Sequence, residues 1–144
     1  MQRKEFWDTE DFNDFLLARV RMEFAWGSND CALFAADAVE AITGIDIAED
    51  FRGKYSTEEE AFDLIKSLVG GTTVADAASY CAAKHDLVEY EYPMMAKRGD
   101  LVVVEDAGRL IAGVIHLNGR DVIVVGEGGL KRVPLTAIKR AWSI

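Results

Sequence analysis

The sequence predicts an α+β fold in which N-terminal helices, within residues 1–86, pack on a C-terminal antiparallel β-meander, within residues 87–144. Three observations carry this reading. Apolar residues recur at three and four positions in the first part, the period of a helix with one buried face. After His85-Asp86 the period falls to two, and short apolar runs alternate with turn residues. The only prolines are Pro93 and Pro134, and no Ser/Gly/Pro linker separates the halves, so the two parts read as layers of one domain spanning 1–144.

The first helix is expected to start after Asp8 or Thr9 and run to about Phe24, with Phe12, Phe15, Leu16 and Val20 as its apolar stripe. Trp26-Gly27-Ser28-Asn29-Asp30 breaks the pattern. A second helix opens at Asp30 or Cys31 and ends at Gly44 in a C′ position. Its side chains are nearly all small or apolar, so it is the expected central helix. Ser56 with Glu59 reads as a capping box for a third helix ending at Gly70-Gly71. Thr73 caps a fourth, on which Val74, Ala77, Ala78 and Cys81 share a face. The loop Phe51-Arg52-Gly53-Lys54-Tyr55 reads as a packed surface turn.

Residues 87–92 alternate as an edge strand with Tyr90 and Tyr92. Further strands are expected at 100–105, 110–117, 122–125 and 130–133, with hairpin turns at Asp106-Ala107-Gly108 and Asn118-Gly119. Residues 138–144, around Trp142, close the fold as a strand or short helix.

At 144 residues the chain can bury a core without disulfides. Its formal net charge is −9, which disfavours binding to nucleic acid or to an anionic membrane surface. The acidity is confined to the helical part: residues 1–100 hold 10 Lys+Arg against 21 Asp+Glu, and the remainder 6 against 4. The N-terminus lacks the apolar stretch of a signal peptide, and no apolar run reaches the ~18 residues of a membrane span. A protein made in the cytoplasm is the expectation. Two scattered cysteines and two histidines form no zinc set. Asp46–Asp50 lacks the glycine and terminal glutamate of a calcium loop, and Gly126-Glu127-Gly128-Gly129 lacks the setting of a dinucleotide fingerprint. No metal or cofactor is expected.

Cys31 is the candidate nucleophile. At a helix start, unpaired N–H groups and the positive dipole end favour a thiolate. Adjacent Asp30 opposes that effect, and a small cysteine used for packing is the plain alternative. The candidate base is His116, beside the Asn118-Gly119 turn, although an exposed imidazole without function is the favoured reading at that position. His85 reads as a helix C-terminal cap.

Four elements in order carry a family resemblance: Trp26-Gly27-x-x-Asp30-Cys31, Arg98-Gly99-Asp100-Leu101-Val102, the strand Gly113 to Leu117, and the strand Val122–Val125. Together they resemble the NlpC/P60 group of papain-like cysteine peptidases. More narrowly, with Phe51-Arg52-Gly53-x-Tyr55, Gly129-Leu130 and Val133-Pro134, the chain resembles a phage and prophage branch, DUF6950. The resemblance implies a papain-like fold with Cys31 as nucleophile. It places Ile111 where that group has its histidine and Val124 near its polar third residue, so the triad does not carry over. Aligned in this way, Ile111 and Val124 are expected to face Cys31.

Two functions follow as expectations from the resemblance. One is a structural or docking module of a phage or prophage tail, localised in the virion, with tail-tip or hub proteins as partners and Phe6, Trp7, Tyr90 and Tyr92 as aromatic anchors. The other is a cysteine peptidase or amidase that cleaves peptide crosslinks of the cell wall, with Cys31 as nucleophile and His116 as base.

Overall fold

In the computed structural model, which describes residues 1–144, five antiparallel strands form one sheet: β1 (Leu101–Asp106), β2 (Arg109–Ile115), β3 (Asp121–Gly126), β4 (Gly129–Pro134) and β5 (Ile138–Trp142). Their order is β4-β3-β2-β1-β5, so β4 and β5 are opposite edges. Yet those edges are joined by a single 3₁₀ turn, Leu135–Ala137. Such a link reaches only about 8 Å at ~2 Å per residue, whereas the edges of a flat five-stranded sheet lie about 19 Å apart. The sheet therefore coils until its edges approach, and a register shift in the β1–β5 pairing between Val103 and Val104 helps it bend.

Coiling gives the sheet two apolar faces. On the inner face, Val102, Val104, Val122, Val124, Val133, Ile138 and Ala141 form a core of their own. On the outer face, Leu101, Val103, Ala112, Val114, Ile123 and Val125 meet the helices. Both faces are dry, so the middle residues of β1 and β3 are buried without alternation.

The helical layer comprises α1 (Phe12–Arg19), α2 (Cys31–Thr43), α3 (Glu58–Val69) and α4 (Val74–Lys84). As expected, α2 is central. Leu33, Phe34, Val39 and Ile42 are each no more than 1% exposed; fully burying one such side chain contributes about 1.5–3 kcal/mol. Gly44 ends α2 and Gly70 ends α3, both in the left-handed conformation. Thr73 caps α4 with a reciprocal bond from Asp76. No helix is long and apolar enough to cross a membrane.

Several expectations are corrected. The first helix begins as a π-helical turn, Trp7–Asp11, and α1 ends at Arg19 rather than near Phe24. The Val20 carbonyl accepts a hydrogen bond from Leu130 N at the edge of β4, which diverts the chain from its helical path. The N-cap of α3 is Thr57 with Glu60, one residue beyond the Ser56/Glu59 pair; Ser56 Oγ joins the same carboxylate. Residues 87–92 make only a short ladder against β5: a bridge at Glu89–Trp142, with Tyr90 N donating to Ala141 O and Ser143 N to Val88 O. A 3₁₀ turn then begins at Pro93, which has no N–H to extend the ladder.

Candidate functional site

Cys31 is the first residue of α2, at 31–43, and the cap that places it there is built from the surrounding motif. The carboxylate of Asp30, 1% exposed, accepts from Leu33 N at 2.9 Å, Gly27 N at 3.0 Å and the Tyr55 hydroxyl at 2.6 Å. Gly27 is required for this approach: at φ +81° a Cβ would lie 2.2 Å from the Tyr55 carbonyl oxygen. Asn29, equally buried, donates to the carbonyls of Met22 and Glu23 and accepts from Arg19. Nearly two turns into α2, Asp37 accepts from Arg19 at 2.8 Å and Arg52 at 2.7 Å, and Arg52 also holds Asp46. The Arg52 and Tyr55 side chains thus clamp the 51–55 loop to the start of α2. This role is not legible in the sequence, because the partners Asp30 and Asp37 lie 25 and 15 residues from Tyr55 and Arg52.

Cys31 is half-buried and faces β2 at Ala112, within a cavity of about 610 Å³ between α2, α3, α4 and the sheet. Pairing between β2 and β3 is confined to Val114–Ile123 and Ile115–Val122. The two strands part beyond that point, and exposed residues of the β1–β2 and β3–β4 hairpins, Ala107, Arg109, Glu127 and Lys131, border the cavity. Burial pushes the Cys31 thiol up to about 11 and the Asp30 charge adds to the rise; main-chain hydrogen bonding from Ala112 and Ala32, with the charge of Arg109, pulls the other way without prevailing. Burial thus opposes the thiolate that a helix start would otherwise favour.

His116 is not brought to Cys31. It lies beyond the end of β2, four residues from Ala112, a run of about 13 Å along a strand. Its ring Nδ1 accepts from Asn118 N at 3.0 Å, and it is absent from the cavity wall. Burial and the charge of Arg132 lower its pKa. His85 is the C-cap of α4, as expected, its main-chain N–H donating to Cys81 O, while its ring pairs with the Glu49 carboxylate at 3.0 Å. Of the two residues expected to face Cys31, Val124 does not: it is buried in the inner core of the coiled sheet, away from the cavity. Ile111 packs against that core and also borders the cavity that holds Cys31. Ala112 takes the position opposite the sulfur. No group of three or more His, Cys, Asp or Glu residues is placed to hold a metal ion.

Of the expected aromatic anchors, Phe6 and Tyr92 are exposed. Trp7 instead packs against the helical core under Arg3, whose guanidinium lies 4.2 Å from the ring centroid. Tyr90 donates its hydroxyl to buried Asp100 at 2.7 Å. The exposed apolar residues Val88, Tyr92, Met94 and Met95 fall together on the segment after α4.

The sequence model of the family described as "Domain of unknown function (DUF6950)" matches residues 2–144 of this chain. No curated protein and no solved structure matches it.

Proposed function

This chain belongs to the DUF6950 family, and we propose that it is a catalytically silent module of papain-like, NlpC/P60-type fold that works by docking to other proteins. Its partners, on the resemblance of its motifs, are tail-tip or hub proteins of a phage or prophage-derived particle. One observation carries the reading. Neither histidine lines the cavity that holds Cys31, the residue in the nucleophile position, and burial there pushes its thiol up. A cysteine hydrolase needs a base within about 3 Å of the thiol, directly or through one water. Both histidines are engaged elsewhere, at Asn118 N and Glu49. The Asp30-Cys31 pair then serves the fold, with Asp30 as the cap and Cys31 as packing.

The docking surface under this reading is Val88, Tyr92, Met94 and Met95, beside the outer edge of β5. Co-expression with tail-tip and hub proteins, followed by co-purification, tests it. Cys31→Ala is expected to leave association unchanged, while Tyr92→Ser with Met95→Ser weakens it and leaves the monomer folded. In parallel, purified protein is incubated with cell-wall sacculi. Release of peptide by the native protein that is lost in Cys31→Ala would replace the docking reading with the amidase one.

A further inference from the structure

The cavity beside Cys31 is a larger space than the docking reading uses, and its walls specify what can enter. Its volume of about 610 Å³ lies within the range of ~300–1,000 Å³ typical of small-molecule sites, and is about four times an apolar cavity of ~150 Å³ that accepts benzene. It exists because three helices present alanine where they face one another: Ala35 and Ala36 on α2, Ala61 on α3, Ala77 and Ala78 on α4. The inner face of the sheet, by contrast, is filled with valine and isoleucine.

Twenty-three of the thirty lining residues are hydrophobic, so the body of any occupant meets apolar walls. Polar groups at the deep end are spoken for: Asp30 already accepts three hydrogen bonds, and no buried side-chain nitrogen or oxygen lacks a partner. The two thiols in the wall, Cys31 and Cys81, are both pushed up by burial, to about 11 and about 12. A peptide main chain entering this space would strand its N–H and C=O groups. An ionised group would find no fixed partner. At the mouth the charges are mixed. Arg109 is paired with Glu58 and Lys131 with Asp106, while the carboxylates of Glu23 and Glu127 have no cationic partner.

We propose that this cavity binds one uncharged small molecule whose buried body is hydrocarbon, an alkyl chain or a fused aromatic system, with any polar head at the hairpin tips. The site goes beyond the docking function and does not rest on it.

The test uses the full chain and an uncharged fluorescent probe, N-phenyl-1-naphthylamine, displaced by straight-chain alcohols of increasing length. Affinity is expected to rise about fourfold for each added methylene, the equivalent of ~0.8 kcal/mol per buried CH₂, and then to level off when the cavity is full. Occupancy should also slow alkylation of Cys31 and Cys81, followed peptide by peptide in unmutated protein. Ala36→Leu and Ala78→Leu should each cut probe binding at least tenfold in protein whose near-ultraviolet circular dichroism is unchanged. Should a variant fail to fold, thiol protection in the native chain still decides. Absence of displaceable binding, an affinity that climbs with length without levelling, or binding that leaves both thiols equally reactive would overturn the proposal. So would loss of the probe signal as the protein self-associates, since a second copy would then cover the mouth.

Discussion

Replacing Asp30 with alanine removes the acceptor for three donors at once, and the size of the loss follows from their geometry. The Leu33 N–H bond is the cap of α2, at 31–43, and deleting such a cap costs about 1 kcal/mol. Gly27 N and the Tyr55 hydroxyl are left without the carboxylate. Both belong to half-buried residues that water can partly reach, so each takes the low end, about 1 kcal/mol, of the penalty for an unpaired donor. The total is about 3 kcal/mol, equivalent to a fall of about 9 °C in Tm for a domain of this size. Tyr55→Phe deletes a single bond to a charged acceptor that retains two N–H donors, and should cost about 1.5 kcal/mol. The double variant should cost about 2 kcal/mol, not the sum of about 4.5, because Tyr55→Phe takes away the hydroxyl that Asp30→Ala leaves unpaired. Cys31→Ala, by comparison, removes one half-buried sulfur and should cost no more than about 1 kcal/mol. Urea unfolding followed by the fluorescence of Trp7, Trp26 and Trp142 measures all four. Additivity of Asp30→Ala and Tyr55→Phe to within ~0.5 kcal/mol would refute the shared-carboxylate account. An Asp30→Ala cost no larger than that of Cys31→Ala would refute the view that the Asp-Cys pair serves the fold.

Alkylation of Cys31 by iodoacetamide should stay slow through pH 9 and accelerate only toward a midpoint near 11; a midpoint below 8.5 would restore an activated thiolate. The Asp46 carboxyl is held below its ordinary value by hydrogen bonds from Arg52, so its contribution to stability is full above the unfolded pKa near 4 and fades as pH falls through the lower folded value. Arg52→Ala should accordingly flatten that acid limb, and cost about 1 kcal/mol at neutral pH because the pair is partly exposed; an unchanged pH profile would sink the assignment. His116 is also lowered, by burial and the charge of Arg132, so the fold favours its neutral form. Stability falls as pH drops below about 6.5, a higher window than that of Asp46, and His116→Gln should remove that component from the urea midpoints. Gly27→Ala forces a Cβ against the Tyr55 carbonyl oxygen at a positive φ and should destabilise by more than the ~1 kcal/mol that conformation alone costs; a thermal shift below 2 °C would contradict the close approach.

Where local chemistry decides structure, the sequence alone was sufficient. Asp30 and Gly44 bracket α2, Thr73 opens α4, and Asp106-Ala107-Gly108 turns β1 into β2, because caps and tight turns involve residues within four positions of one another. The α+β division and the family were legible for the same reason. What the sequence left open depends on contacts between distant segments. The period of a strand is two, so assigning Ile111 instead of Ala112 to the helix side needs one face to be visibly polar. Here the sheet coils, both faces are apolar, and the pattern holds no such mark. The coil itself arises from a three-residue link between strands whose edge positions exist only in the assembled sheet. The truncation of α1 at Arg19 likewise depends on Leu130, and the anchoring of the 51–55 loop on Asp30 depends on Tyr55, across 25 residues. Whether Cys31 meets a base was a question of the same kind. Only the tertiary structure sets Ala112 opposite its sulfur and turns His116 toward Asn118, because the environment of a side chain is fixed by what packs against it, and those neighbours are remote in the chain.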